Sequence, residues 1–454
     1  MRGIVLWRNW KRKRNLRKRN NYMKIQINHI GKMEGHTDFV AEILKGDVKS
    51  AKMMTTEGAR LIEGILIGRH FSEAPIITSR ICGICPVVHK LSSIKAIENA
   101  LKIKPTEQTI KLRKTLELAQ IIHSHALHLF FLSLPDFFDI NNDLNFIKAY
   151  PREAQAAIKV REWALKVIEV IGGRAVHPIN CEVGGFKVTP NKEELRALAD
   201  QYEIIFKQAL LLVHFVIKVK YPKLERPTKY VSLTGDSDYA IYAGDIKILN
   251  ENGTKKIIKA QKFTKNIKEI EDPYRAAKSA ELNHQPFMVG AIARINNNHE
   301  KLNPLAKGLL KGLHWKLPNY NPFANISAQA IEIVHCLEEI KKYLNDLDKN
   351  IKEEKSVSEK MKIIAGANPL GKEVIGADAV EAPRGTLYHH YVIDKDGYIK
   401  SCQIITPTVS YLKNLEEDIM AYLPKVMDMP ADKRARKIRA LIRAYDPCIS
   451  CATH

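Results

Sequence analysis

Cysteines are few in this sequence, and long hydrophobic runs are missing from it. Seven cysteines in 454 residues cannot form a disulfide scaffold, and an odd number leaves at least one of them unpaired. We therefore expect a reducing, cytoplasmic environment. No window of about 20 apolar residues occurs, so no membrane-spanning segment is expected. The composition, 45% hydrophobic and 27% charged, excludes a disordered or collagen-like chain and allows a large core.

Positive charge is concentrated at the N-terminus. The formal net charge of +22 would by itself suggest a nucleic-acid partner. Residues 1–22 hold nine Lys and Arg and no acid, so much of the excess is local. We expect this segment to be a disordered extension, because it has too few apolar residues to become ordered. A basic nucleic-acid arm and a targeting peptide are the alternatives. For residues 23–454 we expect one large unit and no nucleic-acid partner.

Hydrophobic periodicity predicts an α+β, mainly helical fold. Apolar and polar residues alternate from Lys24 to about Met54, which favours a small antiparallel sheet. The spacing then becomes helical in several long segments and strand-like in shorter ones. The predicted helices include 106–133, 151–171, 192–218, 324–350 and 432–445, and the predicted β-rich segments are 222–264, 387–394 and 398–405. We expect a long-helix bundle core with small peripheral antiparallel sheets.

Four of the seven cysteines form two pairs of equal spacing. Cys82-x-x-Cys85 and Cys448-x-x-Cys451 lie 363 positions apart. Four thiolates can hold a structural zinc ion or a soft transition-metal centre, and unrelated thiols are the third possibility. In zinc modules the two ligand pairs are usually separated by only tens of residues. Two cysteine pairs that lie far apart in sequence therefore fit a buried catalytic centre better. The other three cysteines stand alone in apolar surroundings and are expected in the core: Cys181, Cys336 and Cys402.

The residues around both pairs resemble those of the large subunit of nickel-iron hydrogenases. Segments 80–89 (RICGICPVVH) and 446–454 (DPCISCATH) look like the two cysteine boxes of that family. Three further elements are similar and occur in the same order: MEGH at 33–36, GGR with HP within 172–178, and EAPRG at 381–385. The resemblance covers nearly the whole chain and implies that residues 23–454 are the catalytic domain.

The resemblance implies a nickel-iron centre. Cys82 and Cys448 would bind nickel terminally, and Cys85 and Cys451 would bridge nickel to an iron that carries carbon monoxide and cyanide. Thiolate sulfur is soft, suits nickel and can bridge two metals. The implied reaction is the reversible heterolytic cleavage of H2 to protons and electrons, in which Cys448 takes the proton.

Two charged residues would take part in the reaction. Glu34 matches the carboxylate that passes the proton toward solvent. Arg384 would hold its guanidinium over the open metal position, as a fixed cation that does not act as an acid. Taken alone, a Glu beside Gly and His is usually a surface or capping residue, and a buried salt bridge is the other role for Arg384.

Three residues would act on the ligands of the centre. His89 follows Cys85 by four positions, so its ring N–H would reach a bridging thiolate, although a packed histidine is the alternative. Pro407 and Thr408 resemble the element that binds the cyanide ligands. The family has an Asn soon after this Pro-Thr, whereas here the next one is Asn414, which leaves the donor geometry open.

A second metal ion is implied near the C-terminus. Glu63 aligns with a carboxylate that, together with a backbone carbonyl and His454, holds magnesium or iron in this family. A hard divalent cation prefers oxygen ligands, so a histidine nitrogen would be tolerated there. Family precursors are cleaved after the residue that corresponds to His454, which implies either a mature form or a gene without the extension.

The resemblance also implies partners. The chain has no further cysteine cluster for iron-sulfur ligation, so electrons would leave through a separate iron-sulfur small subunit. Residues 175–186 and 443–451 look most like the cytosolic multi-subunit branch, which suggests diaphorase or flavin iron-sulfur subunits and an NAD(P)- or sulfur-type acceptor. Deazaflavin or heterodisulfide coupling is the alternative. A maturation protease and nickel-insertion factors would also be needed.

Two other protein classes have to be considered. The metal-free quinone-site subunit of complex I is a relative of this family, but it lacks the four cysteines. A zinc-stabilised nucleic-acid-binding protein would need its basic excess spread over the folded body.

Overall fold

The computed structural model describes residues 22–454 apart from 139, 141, 274 and 355–369. The predicted N-terminal extension, 1–22, lies outside the described residues except for Tyr22. This residue already belongs to the first strand, so the ordered pattern begins one position earlier than predicted.

The helices account for most of the regular structure, as the sequence predicted. They are α1 Ile62–Leu66, α2 Ala74–Thr78, α3 Pro86–Leu101, α4 Glu107–Leu127, α5 Asp143–Ala149, α6 Pro151–Gly172, α7 Lys192–Ile217, α8 Ala291–Asn298, α9 Pro304–Gly312, α10 Ala324–Asn350, α11 Pro407–Val426, α12 Ala431–Ala444 and α13 Ile449–Ala452. Short turns of other helix types lie at Phe71–Glu73, Ser79–Ile81, His128–Ser133, Leu134–Phe137, Ala260–Lys265 and His299–Lys301.

The strands form small sheets, most of them antiparallel. They are β1 Tyr22–Ile27, β2 Thr37–Leu44, β3 Asp47–Thr55, β4 Cys181–Glu182, β5 Gly185–Phe186, β6 Lys229–Thr234, β7 Asp245–Leu249, β8 Lys255–Ile258, β9 Ile267–Ile270, β10 Ser279–Leu282, β11 Phe287–Met288, β12 Val374–Ala382, β13 Gly385–Ile393 and β14 Ile399–Ile405. The three-stranded sheets have the orders β1-β2-β3 and β12-β13-β14, and the four-stranded sheet has the order β11-β6-β7-β8, in which β11 and β6 are parallel.

The core is a bundle of the four long helices α4, α6, α7 and α10, which pack on one another. Local sequence signals set their ends. The Thr106 hydroxyl accepts the Thr109 N–H at the start of α4, and the Asn191 side chain accepts the Glu193 N–H at the start of α7. Gly173, with a φ of 78°, ends α6 because a left-handed residue terminates a helix most easily as glycine.

The second half of the fold brings the C-terminal residues next to the segment that holds the first cysteine pair. Helix α3 packs against β12 and β13, and α11 packs against β3 and β10. This arrangement buries the last residues of the chain beside the start of α3. Cys181 and Cys336 are buried in the core as predicted, whereas Cys402 is only half-buried. Within the described part of the chain, no helix has the length and apolar character needed to span a bilayer.

Candidate metal centre

The four paired cysteines meet at one buried point. Cys82 follows the turn Ser79–Ile81, Cys85 precedes α3, and Cys448 and Cys451 lie at the start and inside of α13. Their sulfur atoms all lie within 4.8 Å of one another. The Sγ atoms of Cys82 and Cys448 are 3.6 Å apart, as are those of Cys85 and Cys451. The structure therefore brings together the two pairs that the sequence separates by 363 positions.

This sulfur cluster fits a bound metal. A tetrahedral site with metal–sulfur distances of about 2.3 Å places its sulfurs about 3.8 Å apart. Two of the separations are 3.6 Å, and Cys448 Sγ and Cys451 Sγ lie closer together, at 2.7 Å. The hydrogen bond with Cys448 lowers the pKa of the Cys82 thiol well below its usual value, whereas burial raises the pKa of Cys448 and Cys451. Four such thiols suit a soft cation, whose binding displaces their protons.

Glu34 contacts the cluster through its side chain. Cys448 Sγ donates to Glu34 Oε2 over 2.9 Å, and the same oxygen accepts the Ser450 N–H at 3.0 Å. The Ile449 N–H donates to the Glu34 carbonyl oxygen at 2.9 Å, which fixes the backbone as well. Gly35 allows this approach: it has a φ of +81°, and a Cβ there would lie 2.7 Å from the Ile449 Cβ.

Arg384 forms the predicted salt bridge and also faces the cluster. Its Nε donates to the Asp446 carbonyl oxygen at 2.7 Å, and its Nη2 donates to Asp446 Oδ1 at 2.9 Å. Its Nη1 is buried and has no partner among the described residues. Arg384 lines a small space together with Cys85, His89 and Thr408. Both roles that the sequence allowed for Arg384 are therefore compatible with its position.

Arg294 supports the segment before Arg384, and no sequence pattern pointed to it. Its Nη1 donates to the Ala382 carbonyl oxygen at 2.9 Å, and its Nη2 donates to that of Pro383 at 3.2 Å. The same guanidinium pairs with Glu332 and Glu381, and all three side chains are completely buried. Only the fold could reveal this network, because α8, α10 and β12 are far apart in sequence.

His89, Pro407 and Thr408 line the small space beside the cysteines. His89 Nε2 is 3.5 Å from Cys451 Sγ, and burial lowers the pKa of His89 to about 3, so the ring is neutral. The Thr408 hydroxyl accepts the Cys448 N–H at 3.1 Å. Asn414 instead donates to the Tyr445 hydroxyl and is not part of this wall.

Glu63 and His454 meet around Ile404. Glu63 Oε1 accepts the Ile404 N–H at 2.8 Å, and His454 Nε2 is 2.7 Å from the Ile404 carbonyl oxygen. Lys278, which sequence reasoning missed, lies 3.0 Å from Glu63 Oε2 and 3.5 Å from Glu269 Oε2. The buried Oε1 of Glu269 has no partner among the described residues. Two carboxylates and a carbonyl oxygen are ligands that suit a hard divalent cation.

Comparison with known proteins agrees with this geometry. The family model for nickel-dependent hydrogenases matches residues 60–157 and 226–454. The chain therefore belongs to the nickel-dependent hydrogenase family and is an enzyme of the hydrogenase class, as the sequence motifs indicated.

Several relatives align along almost their entire length. The alpha subunit of sulfhydrogenase 1 of Pyrococcus furiosus is 33% identical over 444 residues, which cover 96% of this chain and 99% of the relative. The matching chain of the F420-non-reducing hydrogenase vhu of Methanocaldococcus jannaschii is 29% identical, with 87% and 97% covered. The beta subunit of the NAD-reducing hydrogenase HoxS of Cupriavidus necator is 27% identical, with 95% and 94% covered.

Solved structures show the same fold. An NAD+-reducing [NiFe]-hydrogenase in its H2-reduced state superposes with a TM-score of 0.84 at 25% identity, covering 95% of this chain and 99% of that one. The Ni-Fe-Se hydrogenase of D. vulgaris Hildenborough gives a TM-score of 0.76 at 22% identity. The prediction of an α+β, mainly helical hydrogenase large-subunit fold is confirmed.

Proposed function

We propose that this chain is the catalytic subunit of a nickel-iron hydrogenase whose four cysteines hold the metal centre. Cys82 and Cys448 would hold nickel, and Cys85 and Cys451 would hold both nickel and an iron that carries carbon monoxide and cyanide. The observation that carries the proposal is the buried cluster of four sulfurs within 4.8 Å, in a chain of the nickel-dependent family. When bound, the centre supplies the Lewis-acidic and redox-active site at which H2 is split reversibly.

Cys448 and Glu34 move the proton. The Sγ of Cys448 takes the proton, and the Glu34 carboxylate oxygen at 2.9 Å receives it. The Ser450 N–H holds that oxygen in place. Because Glu34 is half-buried whereas Cys448 is fully buried, the carboxylate connects the interior with the solvent side.

Arg384 would hold its guanidinium over the open metal position, and Pro407 and Thr408 would bind the cyanide ligands on the iron side of the centre. The unpartnered Nη1 of Arg384 is a fixed donor in a buried wall, and such a donor suits a cyanide ligand. Thr408 and Pro407 complete this wall, and Thr408 also holds the Cys448 backbone. His89 tunes the bridging thiolate of Cys451 from a ring nitrogen 3.5 Å away.

Glu63, the Ile404 carbonyl and His454 hold a magnesium or iron ion in the functional enzyme. The unpartnered buried oxygen of Glu269 supports this, since a cation or its bound water would satisfy it. Chelation followed by metal analysis tests the assignment. Loss of one equivalent of magnesium or iron without loss of nickel is expected, and the Glu63→Gln variant should lack that equivalent from the start.

An iron-sulfur small subunit docks beside the first cysteine pair. Gly83, between Cys82 and Cys85, is exposed, and the segments near it carry exposed apolar side chains. These segments contact one another, because α1 packs on α2 and His177 Nδ1 lies 2.8 Å from the Ser79 carbonyl oxygen. Exposed apolar side chains in adjacent segments suit a protein interface. The apolar side chains concerned are Leu61, Ile65, Ile67, Ile76, Val176 and Ile179.

The electrons pass through that small subunit to NAD(P) or a sulfur-type acceptor. The sulfhydrogenase and NAD-reducing relatives support this choice of acceptor. Diaphorase or flavin iron-sulfur subunits in a cytoplasmic complex would carry the electrons to it. F420-non-reducing hydrogenases also occur among the relatives, and coupling to a deazaflavin or to heterodisulfide reduction is the second candidate. A maturation protease and nickel-insertion factors assemble the centre.

One assay separates these acceptors. The native complex is purified under H2 and tested for H2-dependent reduction of viologen, NAD, NADP, polysulfide, heterodisulfide and deazaflavin. Viologen reduction together with NAD(P) or polysulfide reduction is expected. Reduction of deazaflavin alone would contradict the acceptor assignment, and absence of viologen reduction by nickel-loaded complex would contradict the hydrogenase function.

A further inference from the structure

A second polar cavity lies away from the cysteines, between helices α4 and α10 and the segment 237–242. Its volume is about 230 Å³, which is room for roughly eight water molecules at about 30 Å³ each. Its wall has charged side chains of both signs, and the described residues that form it are all different from those that line the metal centre. The cavity is therefore separate from the metal centre.

Glu117 is the feature of this cavity that the fold does not explain. The side chain is completely buried, and neither of its carboxylate oxygens has a hydrogen-bond partner in the described part of the chain. The charged groups that face it are Lys95, Lys114, Arg294 and Glu381, and burial outweighs them and raises the pKa of Glu117 to about 8. Buried polar groups are nearly always hydrogen-bonded, so an unpartnered carboxyl group points to a missing donor.

A lysine in the wall of the same cavity has no acidic partner among the described residues. The Lys301 ammonium donates to the Gly235 carbonyl oxygen and to the Thr234 hydroxyl, which are both uncharged. The other two lysines of the wall have acidic partners: Lys342 lies 2.7 Å from Glu339, and Lys114 lies 3.6 Å from Asp238. Among the described residues of this wall, Glu117 and Lys301 are thus the charged groups without an ion-pair partner.

We propose that this cavity binds a small zwitterion of the amino-acid type, whose ammonium group pairs with Glu117 and whose carboxylate pairs with Lys301. A simple anion would leave Glu117 without a donor, and a simple amine would leave Lys301 without an anion. A ligand with both charges satisfies both groups at once. The mixed lining and the small volume fit a molecule of that size.

The cavity also touches the support of the metal centre. The hydroxyl of Tyr239, a wall residue, donates to Glu332 at 2.7 Å, and Glu332 pairs with Arg294. Arg294 in turn holds the carbonyl oxygens of Ala382 and Pro383. A ligand in the cavity would therefore lie beside Tyr239, which connects the cavity wall by a hydrogen bond to the network that positions the segment before Arg384.

Calorimetric titration of the assembled holoenzyme complex tests the proposal. The probes are glycine and γ-aminobutyrate, which are zwitterions of two lengths, and methylammonium and acetate, which carry one charge each. We expect saturable binding of at least one zwitterion, and at least tenfold weaker binding of either single-charge probe. Near pH 7, pairing with the ammonium ionises Glu117, so binding should release protons that are detected by comparing two buffers.

Three variants make the test specific. Glu117→Gln keeps the size of the side chain and should weaken zwitterion binding at least tenfold and abolish the proton release. Lys301→Met, at a partly exposed position, should also weaken binding at least tenfold. Glu107→Gln is the matched control, because Glu107 lies on the same helix, is exposed and pairs with Lys111 outside the cavity; binding should stay unchanged.

Several outcomes would overturn the proposal. Absence of saturable binding of both zwitterions to the wild-type complex would mean that the cavity holds water only. Equal affinity of the wild type and the Glu117→Gln variant would remove Glu117 from the site. Methylammonium or acetate binding as tightly as the zwitterions would exclude a ligand with two charges. Neither hydrogenase activity nor nickel content enters this test, so it stands apart from the proposed function.

Discussion

Replacing Glu34 by glutamine tests the proton path most specifically. Gln keeps the size of the side chain, and its carbonyl oxygen still accepts the Ser450 N–H that now lies 3.0 Å from Glu34 Oε2. What it loses is the ability to take a proton from Cys448 Sγ, 2.9 Å away. The fold should lose no more than one charge-assisted hydrogen bond, about 1.5–3 kcal/mol.

The effect on turnover should be much larger. A positioned proton acceptor contributes on the order of 10²–10⁴ in rate, so H2-dependent viologen reduction should fall by at least 10²-fold at unchanged nickel content. The infrared bands of metal-bound carbon monoxide and cyanide should remain, which would show that the centre is intact. Glu57→Gln is the matched control, because Glu57 accepts from the Ser450 hydroxyl and contacts none of the four cysteines. Wild-type turnover in the Glu34→Gln variant would refute the path.

Further substitutions test the cluster and its surroundings. Cys451→Ser should abolish nickel incorporation, measured by elemental analysis, and a variant with full nickel content would remove this cysteine from the ligand set. Arg384→Lys keeps the charge but loses the paired donors to Asp446, and we expect a shift of the cyanide infrared bands together with at least tenfold slower turnover; unchanged bands would contradict the contact. Arg294→Met leaves two buried carboxylates without a cation and should lower the free energy of unfolding by about 3–5 kcal/mol in a denaturant titration, whereas a change below about 1 kcal/mol would contradict the network. Burial raises the pKa of Glu117 from 4.5 to about 8 in the folded state, so the folded form binds more protons and stability should fall as pH rises through this interval. Glu117→Gln should flatten that slope, and an identical pH profile would contradict it.

The parts of the fold that the sequence predicted well are those whose pattern is local. Helices 151–172, 192–217 and 324–350 each present an apolar face with helical spacing, so their limits were predicted within one residue. The predicted helix 106–133 is α4 followed by a turn with wider helical spacing, which apolar periodicity cannot distinguish. Strand β12 was missed because it is buried along most of its length and lacks alternation.

In the candidate site, the residues that lie in sequence motifs could be predicted. The residues that matter only because of tertiary packing could not. The cysteine pairs and Glu34 lie in short motifs, and the structure brings them together as expected. Arg294 and Glu117 lie in ordinary helical sequence, where Arg and Glu are usually exposed. Their importance comes from burial among segments far apart in the chain, which the spacing of residues cannot show.

The most direct test of the central claim is the infrared spectrum of the purified native complex in the region of metal-bound carbon monoxide and cyanide. The proposed function predicts sharp bands of both ligands that shift when the complex is exposed to H2, because Cys85 and Cys451 hold the iron that carries these ligands. A complex that contains its full metal complement and shows no such bands would contradict it, and the four cysteines would then return to a structural role.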